Sequence, residues 1–418
     1  MLAREVMANA ADRGWPPATR IGFRFLFCYV LLYLAPFPAG FVPGTGWIAA
    51  PYHRLWEVIV PWVGEHILRL PRPIRIVHTG SGDTMFDYVL ALCFAVLAAA
   101  ATAAWCALAW QARRQPRLAA ALRVYVRYFL ARTLILYGLV KVLKSQFGFP
   151  GPELLWPAFG ETSPQGLLWK FMGYSTPYCI FTGVVEVVAG ALLLFRRTTP
   201  AGALLSVAAL AQVVMLNLCY DVPVKLFSLH LLAMAGFLAA SDLRRLAALL
   251  FARVAPHRLP ALRAAKLALV AGLIYPVLAL SVDAWRRWGD GAPRPALYGL
   301  YEVESFAVAG VERAPLLTDP TRWRSIAVAR YGALQLRFMD DAQDWFRIDD
   351  DPEHHTIVLT RFLEAYVLAY ERPDADHLVL DGGFRGARIH VQLRKVDERE
   401  FLLVRQGFRW INEDSPNR

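Results

Sequence analysis

Three helix-length apolar runs carry ionisable side chains at spacings that can do chemistry: YGLVKVLKSQF over 137–147, FTGVVEVVAGALLLF over 181–195 and LNLCYDVPVKLFSLHLL over 216–232. A charge in hydrocarbon is costly unless it is paired, turned into a bundle or engaged with a ligand. Lys141, Glu186, His230, Asp221 and Lys225 are therefore the candidate catalytic groups. Lys141 lies one to two turns inside the end of its run, where an ammonium seeks a carboxylate or gives up its proton. Glu186 stands mid-run among valines, with Gly183, Ala189 and Gly190 small enough to admit a neighbouring helix. Asp221 and Lys225 are spaced to pair across one helical turn, and His230 follows on the face that holds Phe227 and Met234. Ammonium and imidazole can donate to the carbonyls of a quinone or another flat amphiphile, and a carboxylate can take up or release a proton. Tyr137 and Asn217 are further contacts for such a ligand, and so are Glu161, Trp169 and Tyr174 in the aromatic loop over 146–178. That loop can cover the polar groups with Trp156, Phe159, Trp169, Phe171 and Tyr174. A salt-bridge network that merely fixes helix register is the competing reading of the same residues.

The elements that must position these groups are membrane spans. Of 418 residues, 56% are hydrophobic and only 19% charged, with a mean hydropathy of +0.36, too apolar for an ordinary soluble domain. A span takes roughly 20 mainly apolar residues. Seven stretches qualify, at about 21–40, 86–110, 125–146, 178–196, 200–219, 222–240 and 265–283. The third, with Arg127 and Arg132, and the sixth, with Lys225 and His230, are the weakest. On the third, Arg123, Arg127, Leu134, Tyr137, Lys141 and Lys144 share one helical face, and Arg123, Arg127 and Lys144 are expected to snorkel from its ends.

The net charge of +11 is concentrated in segments that alternate between spans, as orientation requires. Arg4, Arg13 and Arg20 precede the first span; Arg113, Arg114, Arg117 and Arg123 lie before the third; Arg196 and Arg197 before the fifth; Arg244 to Lys266 before the seventh. These segments face the cytoplasm on this reading. Residues 1–20 form a cytoplasmic tail rather than a signal peptide, the bundle covers 21–288, and the C-terminus is periplasmic in the inner membrane of a bacterium with an outer membrane. No nucleic-acid, haem, flavin, iron–sulfur or nucleotide motif accompanies the charge, and the five cysteines show neither a CxxC pair nor zinc spacing.

Within the long outer connection at 41–85, Leu55, Val58, Ile59, Trp62, Ile67 and Leu70 form an apolar stripe, which suits a helix in the headgroup region or a lid on the bundle. Asp83 or Thr84 can cap the second span, and Asp87 can serve that cap or a site. Ser163 ahead of Pro164 suits the start of a short surface helix. After the linker GDGAPRP, residues 296–418 alternate with period two through LYGLYEVESF, RSIAVAR, ALQLRFM, WFRID, TIVLT, AYVLAYE, HLVLDG and ARIHVQLRKV. About eight strands joined by short turns imply an antiparallel barrel or sandwich, most simply an up-and-down barrel of lipocalin-like size, with FLLVRQGFRW as a possible last strand. His354 and His355 sit in an acidic turn and read as solvated rather than metal ligands.

The pattern Tyr137-Gly138-x-x-Lys141, then Phe181-Thr182-Gly183-x-x-Glu186-x-x-x-Gly190 and Arg196-Arg197, resembles the DoxX-like family of bacterial integral membrane proteins over about 125–245. GSGDTMFDYV, GETSPQGLLWKFMGYSTPY and NLCYDVPVKLFSLHLL look like a larger subgroup with extra N-terminal spans and an outer C-terminal domain. The resemblance implies thiosulfate:quinone oxidoreduction or a role in oxidative-stress and thiol-homeostasis complexes. A multi-span bundle followed by an outer β-rich domain is also similar, more loosely, to vitamin K-dependent carboxylases, which act on a quinol. Three functions stay open: a quinone-linked oxidoreductase or quinone-binding subunit served by a periplasmic redox protein; a non-enzymatic scaffold or lipophilic-ligand binder acting through the β domain; and a proton-coupled transporter.

Overall fold

The computed structural model describes residues 15–40, 42, 44–76, 81–109, 115–155, 162–251, 260–401 and 404, with 242–251 and 260–263 followed as backbone. Most of the expected N-terminal tail, Trp156, Phe159, Glu161 and the last strand expected after 401 lie outside the described residues. The helices are α1 (Pro17–Leu34), α2 (Gly46–Trp62), α3 (Met85–Leu108), α4 (Pro116–Val142), α5 (Pro164–Tyr174), α6 (Thr176–Leu194), α7 (Thr199–Cys219), α8 (Lys225–Phe251) and α9 (Pro260–Arg287). The strands are β1 (Gly299–Val308), β2 (Val311–Glu312), β3 (Trp323–Val328), β4 (Ala333–Phe338), β5 (Gln343–Asp351), β6 (Thr356–Arg361), β7 (Glu364–Glu371), β8 (His377–Phe384) and β9 (Ala387–Val396). The chain divides into two compact units, one of Met1–Leu143 with Ile180–Val282, the other of Lys144–Cys179 with Asp283–Arg418.

Five helical segments are long and apolar enough to cross a membrane among the described residues: Pro17–Leu34, Met85–Leu108, Thr176–Leu194, Thr199–Cys219 and Ala264–Arg287. The expected count of seven is thus five on length and composition. The other two stretches are helical, but α4 carries Arg117, Arg123, Arg127, Arg132 and Lys141, and the apolar part of α8, Lys225–Ser241, is shorter. Both lie inside the helical unit. Leu122, Val126, Leu130, Ala131, Leu134 and Ile135 of α4 are buried against Leu34, Leu193, Leu210, Leu231, Leu238, Leu273 and Val277. A helix wrapped on most sides by other helices faces little lipid, so it tolerates charges that a peripheral span could not.

Glycines let α4 and α6 meet backbone to backbone. A Cβ on Gly138 would lie 2.5 Å from the Gly183 carbonyl oxygen, one on Gly183 2.6 Å from that of Gly138, and one on Gly190 2.7 Å from that of Ala131. Gly183, Glu186 and Gly190 recur at three and four residues on α6, as do Ala131, Ile135, Gly138 and Lys141 on α4. Each set is one face of its helix, and small residues on such faces permit close packing.

Helix α2 buries Trp56 and Val60 against Val89 and Phe94 of α3; of the apolar stripe that suits a headgroup helix or a lid, Leu55, Val58, Trp62 and Ile67 are exposed, while Ile59 and Leu70 pack on that cluster. The helix is apolar on both sides. One face packs on protein, and the other is exposed.

In the second unit, eight strands close into an antiparallel barrel in the order β1-β3-β4-β5-β6-β7-β8-β9, with β9 pairing back to β1 and β2 adding a short hairpin to β1. Alternation decides the interior. Trp323, Phe306, Phe346, Phe384, Leu334, Leu359, Leu368, Leu380 and Val391 point inward and fill it, as expected for a ring of this size. In the segment 144–179, the Ser163 hydroxyl accepts from the Gly166 amide and starts α5. Lys144 does not snorkel: it is 4% exposed, donates to the Gly173 carbonyl at 2.7 Å and to Thr176 Oγ1 at 3.0 Å, and lies 3.6 Å from Asp290. A cation at the carbonyl end of α5 has more to gain there than in a headgroup.

Candidate functional site

The polar groups of the helical unit form three clusters. In the first, Lys141 and Glu186 make a buried ion pair, 8% and 4% exposed. The glycine contact beside them brings the two helices close enough for a short bridge, and Glu186 Oε2 has no hydrogen-bond partner among the described residues.

The second cluster is centred on His230. Its Nδ1 lies 2.7 Å from the Leu226 carbonyl oxygen and its Nε2 2.6 Å from the Tyr29 hydroxyl. A carbonyl can only accept, so Nδ1 carries a proton, and Nε2 shares a hydrogen bond with the Tyr29 hydroxyl. The Tyr33 ring stacks on the imidazole, with centroids 4.1 Å apart and planes 6° apart. Tyr29 and Tyr33 are four residues apart on α1 and face α8 together.

The third cluster joins the starts of α3 and α8. Asp83 accepts from the backbone amides of Lys225 and Leu226, each at 2.8 Å, so it caps α8 rather than α3. Thr84 caps α3 in a reciprocal box with Asp87. The expected Asp221–Lys225 pair forms at 2.6 Å, but Asp221 is 80% exposed, so the pair lies at the surface.

Each of these clusters joins a different pair of helices: α4 with α6, α1 with α8, and the starts of α3 and α8. Spacing along a helix fixes a face, and it does not say which neighbour that face meets. Asn217 is buried, and its Nδ2 has no partner among the described residues. Trp169 and Tyr174 belong to the other unit, where Trp169 packs on Phe147 and Tyr174 on Phe149.

A cavity of about 770 Å³ lies among α1, α2, α3, α4 and α8. Its aromatic wall is Tyr33, Tyr52, Trp56, Phe94, Tyr137 and Phe227, and its polar rim is His53, Glu57, Arg75 and Asp87. Apolar walls with a few convergent polar groups, at this size, are the ordinary form of a small-molecule site. The cavity adjoins the polar clusters, and Thr84, Asp87 and Leu226 of the third line it directly. Tyr137 shares a face of α4 with Lys141, one turn away, and Tyr33 is the ring that stacks on His230. One wall residue is anchored to a neighbouring backbone: the Tyr52 hydroxyl donates to the Leu32 carbonyl at 2.7 Å. Among the cavity residues, sequence reasoning singled out Tyr137 as a ligand contact and missed Tyr33, Tyr52, Trp56 and Phe94. The signal was available in part, since Tyr29, Tyr33 and Phe37 recur every four residues, as do Tyr52 and Trp56.

No family model matches the chain, and no solved structure matches it. Over 119 residues it is 37% identical to the uncharacterized protein YwoB of Bacillus subtilis (strain 168), an alignment that takes in 28% of this chain and 75% of that protein.

Proposed function

The chain belongs to the family of the uncharacterized protein YwoB, and from that premise we propose that it is an integral membrane protein that binds a flat, amphiphilic molecule of the quinone class. The observation that carries this reading is the aromatic cavity of about 770 Å³, two of whose lining helices, α1 and α3, are long and apolar enough to cross a membrane. A planar ring fits between Trp56, Tyr137 and Phe227, and phenol and carboxylate groups at the rim meet its polar edge. On this reading α4 and α8 cross the membrane as interior helices, which gives seven spans and places the barrel in the periplasm. Lys141 and Glu186 form a proton-exchanging pair one turn behind Tyr137, and electron transfer requires a redox protein outside the membrane.

The test is extraction and mass spectrometry of small molecules that purify with the full chain in mild detergent, followed by titration with a short-chain quinone. Trp56→Ala and Tyr137→Phe should weaken quinone binding, the first by about tenfold or more, since a stacked aromatic contact contributes on the order of 1 kcal/mol beyond its buried area. Unchanged affinity in Trp56→Ala, or no thermal shift with any quinone, would sink the proposal.

A further inference from the structure

A second cavity, of about 280 Å³, is lined by Ala120, Arg123, Val124 and Arg127 of α4, Arg196 after α6, Thr199 at the start of α7 and Leu238 of α8. It lies about fourteen residues from Tyr137 along α4, roughly 21 Å, and is therefore separate from the aromatic cavity. We propose that it binds a phosphate group, that of an anionic phospholipid headgroup.

Three guanidinium groups line this small space, and none of its described lining residues is acidic. Like charges so gathered repel one another unless an anion joins them. Arg127 is already oriented: its guanidinium lies 4.9 Å from the Tyr128 ring centre and its Nη1 donates to Thr199 Oγ1 at 3.5 Å. Its buried Nε has no hydrogen-bond partner among the described residues, which leaves one face of the planar fork for an oxygen acceptor. Guanidinium matches phosphate with paired hydrogen bonds, and that geometry selects it over a lone chloride. Val124, Ala120 and Leu238 supply an apolar side suited to the glycerol and first methylenes of a lipid. A lipid is favoured over a free anion because the arginines stand at the cation-rich end of the helices, which faces the anionic leaflet.

The experiment uses the full chain in mild detergent and reads the thermal transition on titration with phosphatidylglycerol, phosphatidylcholine or inorganic phosphate. Phosphatidylglycerol should raise the transition at least about tenfold more potently than the other two, because a lost charge-assisted contact costs about that factor. Arg127→Gln and Arg196→Gln should each shift the phosphatidylglycerol midpoint by about tenfold. Arg196 is exposed, so its variant keeps the core intact and decides the matter even if Arg127→Gln fails to fold. Equal midpoints for phosphatidylglycerol and phosphatidylcholine, or an unmoved midpoint in Arg196→Gln, would overturn the site. Equal potency of inorganic phosphate and phosphatidylglycerol would overturn the lipid as its source.

Discussion

Removing Lys141 alone strands a carboxylate inside the helical unit, so Lys141→Met should destabilise the chain by about 3–5 kcal/mol, the usual loss when one partner of a buried pair is deleted. Adding Glu186→Leu should restore most of it, and a double-mutant cycle of thermal or denaturant melts measures the coupling. If the single and double variants melt alike, the bridge is not a unit. A second carboxyl behaves differently. Glu153 lies buried in the turn Pro152–Leu154; burial holds its carboxyl above the usual range, and Glu398 adds to that. A raised folded value means that the native state keeps its proton longer than the unfolded chain. Stability is then fully present below the ordinary glutamate value of about 4.3 and is lost as pH rises through the folded value. Glu153→Gln should accordingly raise the melting temperature at pH 8 and leave it nearly unchanged at pH 4; the reverse order would refute this. Sequence made the Lys141–Glu186 pairing legible, because both stand in apolar runs beside glycines. His230 was legible as a polar group within an apolar run and not as a partner of Tyr29 and Tyr33, because those residues stand two hundred positions away on α1.

At the level of elements, the glycine contact between α4 and α6 sets the reach of that bridge. Gly183→Val inserts carbons where the Gly138 carbonyl already lies, and the helices must separate at a cost of about 1–3 kcal/mol. Gly236 on α8 is the control, since a Cβ there meets nothing within 4 Å. Gly236→Ala should be neutral or stabilising by about 0.5–1 kcal/mol, and the two melts should therefore move in opposite directions. The glycine spacing was visible in sequence, whereas the role of α2 was only half visible. Its apolar stripe was legible as suited to headgroups or to a lid, and the packing by Trp56 and Val60 beside it was not. Periodicity cannot separate a face that meets protein from one that meets acyl chains, because both are apolar. The same ambiguity separates the seven expected spans from the five that pass on length and composition: the charges of α4 and α8 are tolerable because neighbours surround them.

For the whole molecule, the alternation of cation-rich and mixed segments predicts which parts face which side. In intact cells, a membrane-impermeant maleimide should label Leu363→Cys, at the fully exposed β6–β7 turn, and should reach Arg197→Cys only after lysis. Labelling of Arg197→Cys in intact cells would reverse the assigned orientation. The β domain was the most legible part, because period-two alternation marks its strands, and each of the eight strand segments read from sequence has its counterpart in the barrel. Grouping of 144–179 with the strands was not legible, since contacts such as Lys144 with Asp290 join positions far apart in the chain. The pairing of β9 back onto β1 has one more effect. Apart from the two-residue β2, each strand of the ring has a neighbour on both flanks among the described residues, so a guest peptide finds almost no backbone to zip onto. Whatever docks on this domain must be gripped by side chains and turns, and a search for its companions should begin with the charged and aromatic tips of the hairpins.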